Sequence, residues 1–321
     1  MDLYIDKANL ISFVKSKDNP LFQDSLKLLK RQLNIKFNFD KGELLEEKQL
    51  LPLLPALTEG VGDSLASEWN TSFPERPLKS NTHNNFTREQ LSAVYLLDDE
   101  RASVFKETGA VLVGMPGDEI DIFKSLFLQH DDYIFEKDLR IGSDEFATWN
   151  DIKCFSLPLT DIIIIDPYLL KEKRPECDVI EENLLTWLDA ICSKSKSKIN
   201  IVIVVAPAEI RYELEDIRER IKERIKKVTG KKSEVTFVKT NKEHDRTIIT
   251  NYLRYSGNSF NYFAKGYKIT KGKELNIKSL VRYDNHVKAD EAIKDVQAII
   301  DFCMKNDGVE GDLDSGYLSF N

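Results

Sequence analysis

The sequence predicts an α/β protein in two parts, with helices covering a parallel or mixed sheet. Three observations carry that expectation. "DIIIIDPYLL" (161–170) and "KINIVIVVAP" (198–207) are continuous apolar runs, as strands buried on both faces must be. "NLLTWLDAICSK" (183–194) and "EIRYELEDIRERIKERIKKV" (209–228) have helical period, the second with Leu214, Ile217, Ile221 and Ile225 on one stripe and Arg and Lys opposite. "SEVTFVKT" (233–240) supplies a third strand. The alternation βαβαβ requires crossover helices, and those cover the sheet.

The remaining elements follow in chain order. "LYID" reads as a strand, "NLISFVKS" and "LFQDSLKLLKRQL" as helices, and "NIKFNF" alternates like a half-buried strand. "GELLEEKQLLPLLPAL" reads as a helix interrupted at Pro52 and Pro55, and residues 70–85 as a loop rich in Asn, Ser, Thr and Pro. "TREQ" at Thr87 has the form of a capping box, which predicts a helix over "REQLSAVYLLDD". "AVLVGMPGDEIDIF" reads as a strand and a turn, because "GMPGDE" lacks the lysine and second glycine of a phosphate loop. "TIITNYLRY" reads as one strand, residues 289–305 as a helix, and the acidic, glycine-bearing segment 306–321 as a flexible tail. The expected division is therefore an N-terminal α/β domain over 1–155, a C-terminal domain over 156–305, and the tail.

Composition limits the functions available. In 321 residues the formal net charge is −8, which argues against coating nucleic acid over the whole surface. Between Lys194 and Arg246, however, 15 Lys/Arg face 9 Asp/Glu. The helix face over 211–232, with Arg218, Lys222, Lys226 and Lys227, is thus the candidate contact for a polyanion or an acidic partner; a solvated helix face is the ordinary alternative. No apolar run reaches membrane-spanning length, and "MDLYIDKANL" carries acids where a signal peptide needs a basic start. A cytoplasmic protein is expected. Cys154, Cys177, Cys192 and Cys303 lie far apart with no C-x-x-C pair, which predicts reduced thiols, no structural metal and no cofactor.

The chemistry concentrates in "KTNKEHDRTIITNYLRYSGN" (239–258). His244 follows a predicted strand, and carboxyl ends of strands are where open α/β sheets place ligands. His244, Arg246 and Asn251 together suit a phosphodiester: imidazole as nucleophile or proton carrier, guanidinium as phosphate clamp, and carboxamide to hold the imidazole tautomer. A structural account of the same residues has His244 capping a strand end, Arg246 paired with Asp166 or Asp245, and Asn251 in a strand ladder. Neither a Ser/His/Asp nor a Cys/His arrangement stands out, since His83 and His130 lie in polar, loop-like stretches. The second H-x-K, at His286 and Lys288, has Ile293 where an acid would be needed and reads as the start of a helix.

These residues resemble the H-x-K-x4-D motif of phospholipase D-type enzymes, here His244-x-Arg246-x4-Asn251 followed by the small-residue turn Gly257-Asn258-Ser259. The order of motifs is also similar to the phospholipase D-like C-terminal domain of MIT-domain-containing proteins: an apolar strand ending in Asp166-Pro167-Tyr168, another apolar strand, H-D-R, an asparagine five residues on, and the aromatic "GNSFNYF" (257–263). The resemblance covers about residues 160–265. It implies a phospholipase D-like mixed sheet flanked by helices, and a homodimer, since two such motifs normally meet in one site. It also implies a module for recognition and assembly rather than catalysis, with Asp166, Tyr168 and Lys242 as ligand-binding neighbours. A three-helix MIT domain is absent. By analogy, a component of a prokaryotic conflict or phage-defence system is the expected setting. The alternative is a metal-independent nuclease or phosphodiesterase using His244 in a homodimeric site. Arginine is no simple copy of lysine, and Asn251 supplies no carboxylate.

"LYIDKANL" is also similar to the opening of PIN-type and NYN-type nucleases, which would make Asp6 a metal ligand. The further acids that fold needs, with Asp118, Asp121 and Asp131 as candidates, do not follow clean apolar strands, and a helix N-terminal role explains Asp6 equally well.

Overall fold

The computed structural model describes residues 1–15, 34–48, 51, 68–71, 91–97, 112–114, 136–243, 245–263 and 273–321. The chain divides into one unit of residues 1–135 with 279–286 and another of 136–278 with 287–321. The boundary falls earlier than the expected 155/156, because a strand that the polar sequence "EKDLR" conceals belongs to the second unit's sheet.

In the first unit, β1 (Asp2–Ile5), β2 (Asn34–Phe37), β3 (Val94–Leu96) and β4 (Leu112–Gly114) form a parallel sheet in the order β2-β1-β3-β4. Asp6 ends β1 and opens α1 (Lys7–Lys15), its Oδ1 accepting from the Asn9 backbone N–H at 2.8 Å. That is the helix N-terminal use of Asp6. α2 (Lys41–Glu46) starts with a capping box between Asp40 and Glu43.

Residues 94–96 correct an expectation. The helix predicted to run through them is a strand, because Leu3, Tyr4 and Ile5 pair with Val94, Tyr95 and Leu96, all buried, and the Tyr4 and Tyr95 rings stack at 4.9 Å. A three-residue apolar run fits either period, and the sheet decides it. The Thr87 capping box and the helix expected near 21–33 lie outside the described residues.

The second unit is an eight-stranded mixed sheet in the order β12-β8-β7-β6-β9-β10-β11-β5. Its strands are β5 (Glu136–Arg140), β6 (Asp161–Ile165), β7 (Ile199–Val205), β8 (Ser233–Lys239), β9 (Thr247–Thr250), β10 (Leu253–Gly257), β11 (Glu274–Ser279) and β12 (Val309–Gly311). β6, β7 and β8 are parallel, as the βαβαβ alternation requires, and every residue of β6 and β7 is buried. β9 then returns antiparallel beside β6.

Helices flank this sheet. α3 (Thr186–Cys192) follows a π-helical turn at Glu181–Leu185, and its Trp187 meets Tyr255 of β10 edge to face at 5.8 Å. α4 (Leu214–Thr229) buries Leu214, Ile217, Ile221 and Ile225, and ends where Gly230 takes φ 71°, a left-handed conformation natural to glycine. α5 (Tyr283–Cys303) begins earlier than the expected 289 and takes in His286 and Lys288.

Two further expectations are corrected. The single strand "TIITNYLRY" is the hairpin β9–β10, turned at Asn251-Tyr252, where the Thr250 hydroxyl both accepts from the Leu253 N–H and donates to its carbonyl at 3.1 Å. The tail 306–321 is not loose. β12 pairs with β8, the Asp312 carboxylate accepts from the Val235 N–H at 2.8 Å, and Tyr317 and Leu318 are buried.

Candidate anion-binding site

The site forms where β6 ends. The apolar run stops at Asp166, whose carboxylate is 0% exposed and accepts two backbone N–H bonds, from Tyr168 at 3.0 Å and from Phe260 at 3.1 Å. One residue thus ties the end of β6 to the segment after β10. Asn261 adds a second tie, donating to the Leu169 carbonyl at 3.0 Å. Burial pushes the Asp166 carboxyl above the ordinary carboxylate range, against the opposing pull of its two N–H donors and of the Arg246 guanidinium.

Arg246 reaches this carboxylate from the start of β9. Its Nε lies 3.8 Å from Asp166 Oδ1, too far for a hydrogen bond, and its Cζ sits over the Tyr168 ring at 5.0 Å from the centroid. The Nε is buried and has no hydrogen-bond partner. The guanidinium is therefore oriented by charge and by an aromatic face, with a donor left over.

Arg246 is also on the wall of an open cleft of about 380 Å³, shared with Asp245, Thr247, Arg254, Ser256, Gly257, Asn258, Glu274 and Asn276. Gly257 is required by close approach. A Cβ there would stand 1.9 Å from the Tyr262 hydroxyl, which donates to the Glu274 carbonyl at 3.2 Å. Behind the wall, Asn183 of the π-helical turn accepts from the Phe263 N–H at 2.8 Å and from Trp149 Nε1 at 3.3 Å, fixing the aromatic segment.

The structure brings together Asp166, Tyr168 and Arg246, the pairing that the structural account of the motif anticipates. Asn251 is a correction. β9 runs antiparallel to β6, with Thr247 opposite Ile165 and Thr250 opposite Ile162, so Arg246 and Asn251 fall at opposite ends of the sheet. At about 3.3 Å per residue, five residues separate the two by roughly 16 Å. The Asn251 side chain is committed at its own end: Oδ1 accepts from the Thr160 N–H at 2.8 Å and the Asp161 N–H at 3.2 Å, and Nδ2 donates to Thr160 Oγ1 at 3.0 Å. It holds no tautomer at the motif's other end. His244 lies outside the described residues, as do His83, His130, Asp118, Asp121 and Asp131.

The helix-face candidates lie elsewhere too. Arg218 pairs with Glu215 at 2.5 Å, and Lys222 with Asp312 at 2.9 Å, which fastens the C-terminal segment. Arg220 pairs with Asp178 at 2.6 Å, while Arg224 pairs with Asp189 and Glu181. Much of the local positive excess is thus answered within the molecule, leaving Lys226 and Lys227 exposed in the last turn of α4. Lys242 places its amine over the Phe302 ring at 3.6 Å from the centroid.

Arg254 escaped the sequence reading. It faces the cleft only because the hairpin turns at Asn251, and no motif marks that turn. Among the described residues there is no cluster of acids, histidines and cysteines fit for a metal, and no helix long and apolar enough to cross a membrane.

No family profile and no curated protein matches the chain. Among solved structures, a mutant of yeast tyrosyl-DNA phosphodiesterase is similar over 44% of this chain and 30% of its own length, at 15% identity and a TM-score of 0.25.

Proposed function

We propose that the second unit is a phospholipase D-like recognition domain that binds a phosphate-class anion at Arg246 without turning it over. The supporting observation is the guanidinium itself, held beside a buried carboxylate and over Tyr168, on a residue that lines a polar cleft. A guanidinium in that setting offers a fixed donor fork to an oxyanion. Assembly, including homodimerisation through 160–265, is proposed from the resemblance alone, and a place in a prokaryotic defence system from analogy.

The alternative reading is a phosphodiesterase with His244 as nucleophile. It is favoured by sequence adjacency, since Asp245 and Arg246 both line the cleft. One experiment separates the two. Purified protein is incubated with single- and double-stranded DNA, RNA and a generic phosphodiester in EDTA, and phosphate binding is followed in parallel by calorimetry. No turnover, with phosphate binding abolished in a folded Arg246→Ala variant, supports recognition. Turnover that vanishes in a folded His244→Ala variant makes the protein a phosphodiesterase.

A further inference from the structure

The cleft holds a second guanidinium. Arg254, on β10, is mostly buried and donates to Thr247 Oγ1 at 3.2 Å, while its Nε is buried with no hydrogen-bond partner. It makes no salt bridge among the described residues. Burial depresses its pKa below the usual arginine value, with Asp245 as the opposing influence. Of the carboxylates on the cleft, Glu274 is engaged by Arg140 at 3.4 Å, and Asp245 interacts with Arg254 only through space.

The Nε of Arg254 is closed off from solvent, so the donors it can turn to the cleft are those of its terminal nitrogens, of which the bond to Thr247 uses only one. Arg246 lines the same cleft, with its Nε closed off likewise on the Asp166 side. Two incompletely satisfied guanidinium groups in one open cavity fit a ligand with two adjacent anionic centres better than a single oxyanion. The neighbouring neutral groups Ser256 and Asn258 can take up further oxygens without adding charge, while the Asn276 amide is engaged by Asp138.

From this juxtaposition we infer that Arg254 forms a second anion subsite beside Arg246, and that the cleft takes a ligand bearing two linked phosphate groups. The inference rests on the reading of Arg246 as an anion-binding residue and extends it to the class of ligand.

The test uses the full-length protein in EDTA, with inorganic phosphate and pyrophosphate as the probes. Pyrophosphate is expected to bind at least about tenfold more tightly than phosphate, the factor that one additional charge-assisted contact supplies. Arg254→Gln should weaken pyrophosphate by a clearly larger factor than phosphate, so that the preference for pyrophosphate is lost. Arg254→Lys, which keeps the charge on a shorter reach of donors, should fall between the two. Equal affinities of the two probes for the wild-type protein overturn the second subsite while leaving Arg246 as a single-anion site. A pyrophosphate preference unchanged in both Arg254 variants also overturns it. If neither probe binds, both the subsite and the Arg246 reading fail.

Discussion

Replacing Asn251 by aspartate restores the residue that the phospholipase D-type motif carries, and the structure predicts that this damages the fold and adds no activity. The side chain is 0% exposed, and its Nδ2 donates to Thr160 Oγ1 at 3.0 Å. The Thr160 hydroxyl hydrogen is already given to Asp161 Oδ2 at 2.8 Å. An aspartate oxygen in place of Nδ2 would face an oxygen with no hydrogen to offer, and would put a second carboxylate beside buried Asp161. The two backbone N–H donors from Thr160 and Asp161 remain and offset part of the charge burial. An unsatisfied buried contact costs about 1–3 kcal/mol, and burial of an ion costs several more before compensation, so a net loss of about 2–4 kcal/mol is expected. Urea melts should show a lower midpoint at unchanged slope. The deficit should shrink on acidification toward about pH 4, as the new carboxyl takes up its proton and becomes a donor. A variant within about 0.5 kcal/mol of wild type at pH 7, or one that acquires phosphodiester turnover, would refute this assignment of Asn251 to the sheet.

Three other outcomes are expected. Gly257→Ala should cost about 2–4 kcal/mol through overpacking and loss of the Tyr262–Glu274 hydrogen bond, and should weaken anion binding more than a mutation of equal thermal cost far from the cleft; thermal melts beside phosphate titration check both. Asp166 has a folded pKa above its unfolded value near about 3.9, so the native state holds the extra proton and stability falls as pH rises from there through the folded value. Asp166→Asn should remove that part of the slope, and wild-type and variant stability profiles that stay parallel over the window would contradict it. Lys222→Glu should cost about 1 kcal/mol and speed hydrogen exchange over 309–318 by breaking the Asp312 pair, whereas Lys226→Glu with Lys227→Glu should leave exchange there unchanged.

The parts of the fold that could be read from sequence are those whose environment is uniform along the element. β6 and β7 are buried throughout, so their residues are apolar throughout, and α4 has one buried stripe that repeats with the helix. β5 and β11 are different. β5 ("EKDLR") is an edge strand that exposes polar residues, β11 ("ELNIKS") beside it alternates buried and half-buried positions, and their pairing joins residues far apart in the chain. The C-terminal segment was hidden for a related reason. Its order comes from partners outside itself, with the Asp161 carboxylate accepting from the Gly316 N–H at 2.6 Å and Lys222 holding Asp312. Acidic, glycine-bearing composition does not reveal such partners.

The motif itself contained a signal about its own geometry. If "TIIT" is a strand, residues flanking it stand at its two ends, so a spacing of four between Arg246 and Asn251 separates them instead of gathering them. The consequence bears on function. Asparagine at 251 is neither evidence for catalysis nor against it, because the residue belongs to the amino end of β6, where Asp161, Asn251 and the C-terminal segment close the sheet. What remains at the carboxyl end is Arg246 with Asp166 and Tyr168, and next to it Arg254. β9 and β10 thus serve both ends at once: their turn locks the closed end, the start of β9 carries Arg246 at the open one, and Arg254, two residues past the turn, extends its side chain along the hairpin to Thr247. A change in the turn that shifted the hairpin register by one residue would move Arg254 to the opposite face of the sheet and take it out of the cleft. Insertion of a single glycine between Asn251 and Tyr252 should therefore abolish any preference for pyrophosphate over phosphate while leaving the Arg246 contact in place, and an insertion variant that is folded and still discriminates between the two would show that Arg254 does not set the ligand class.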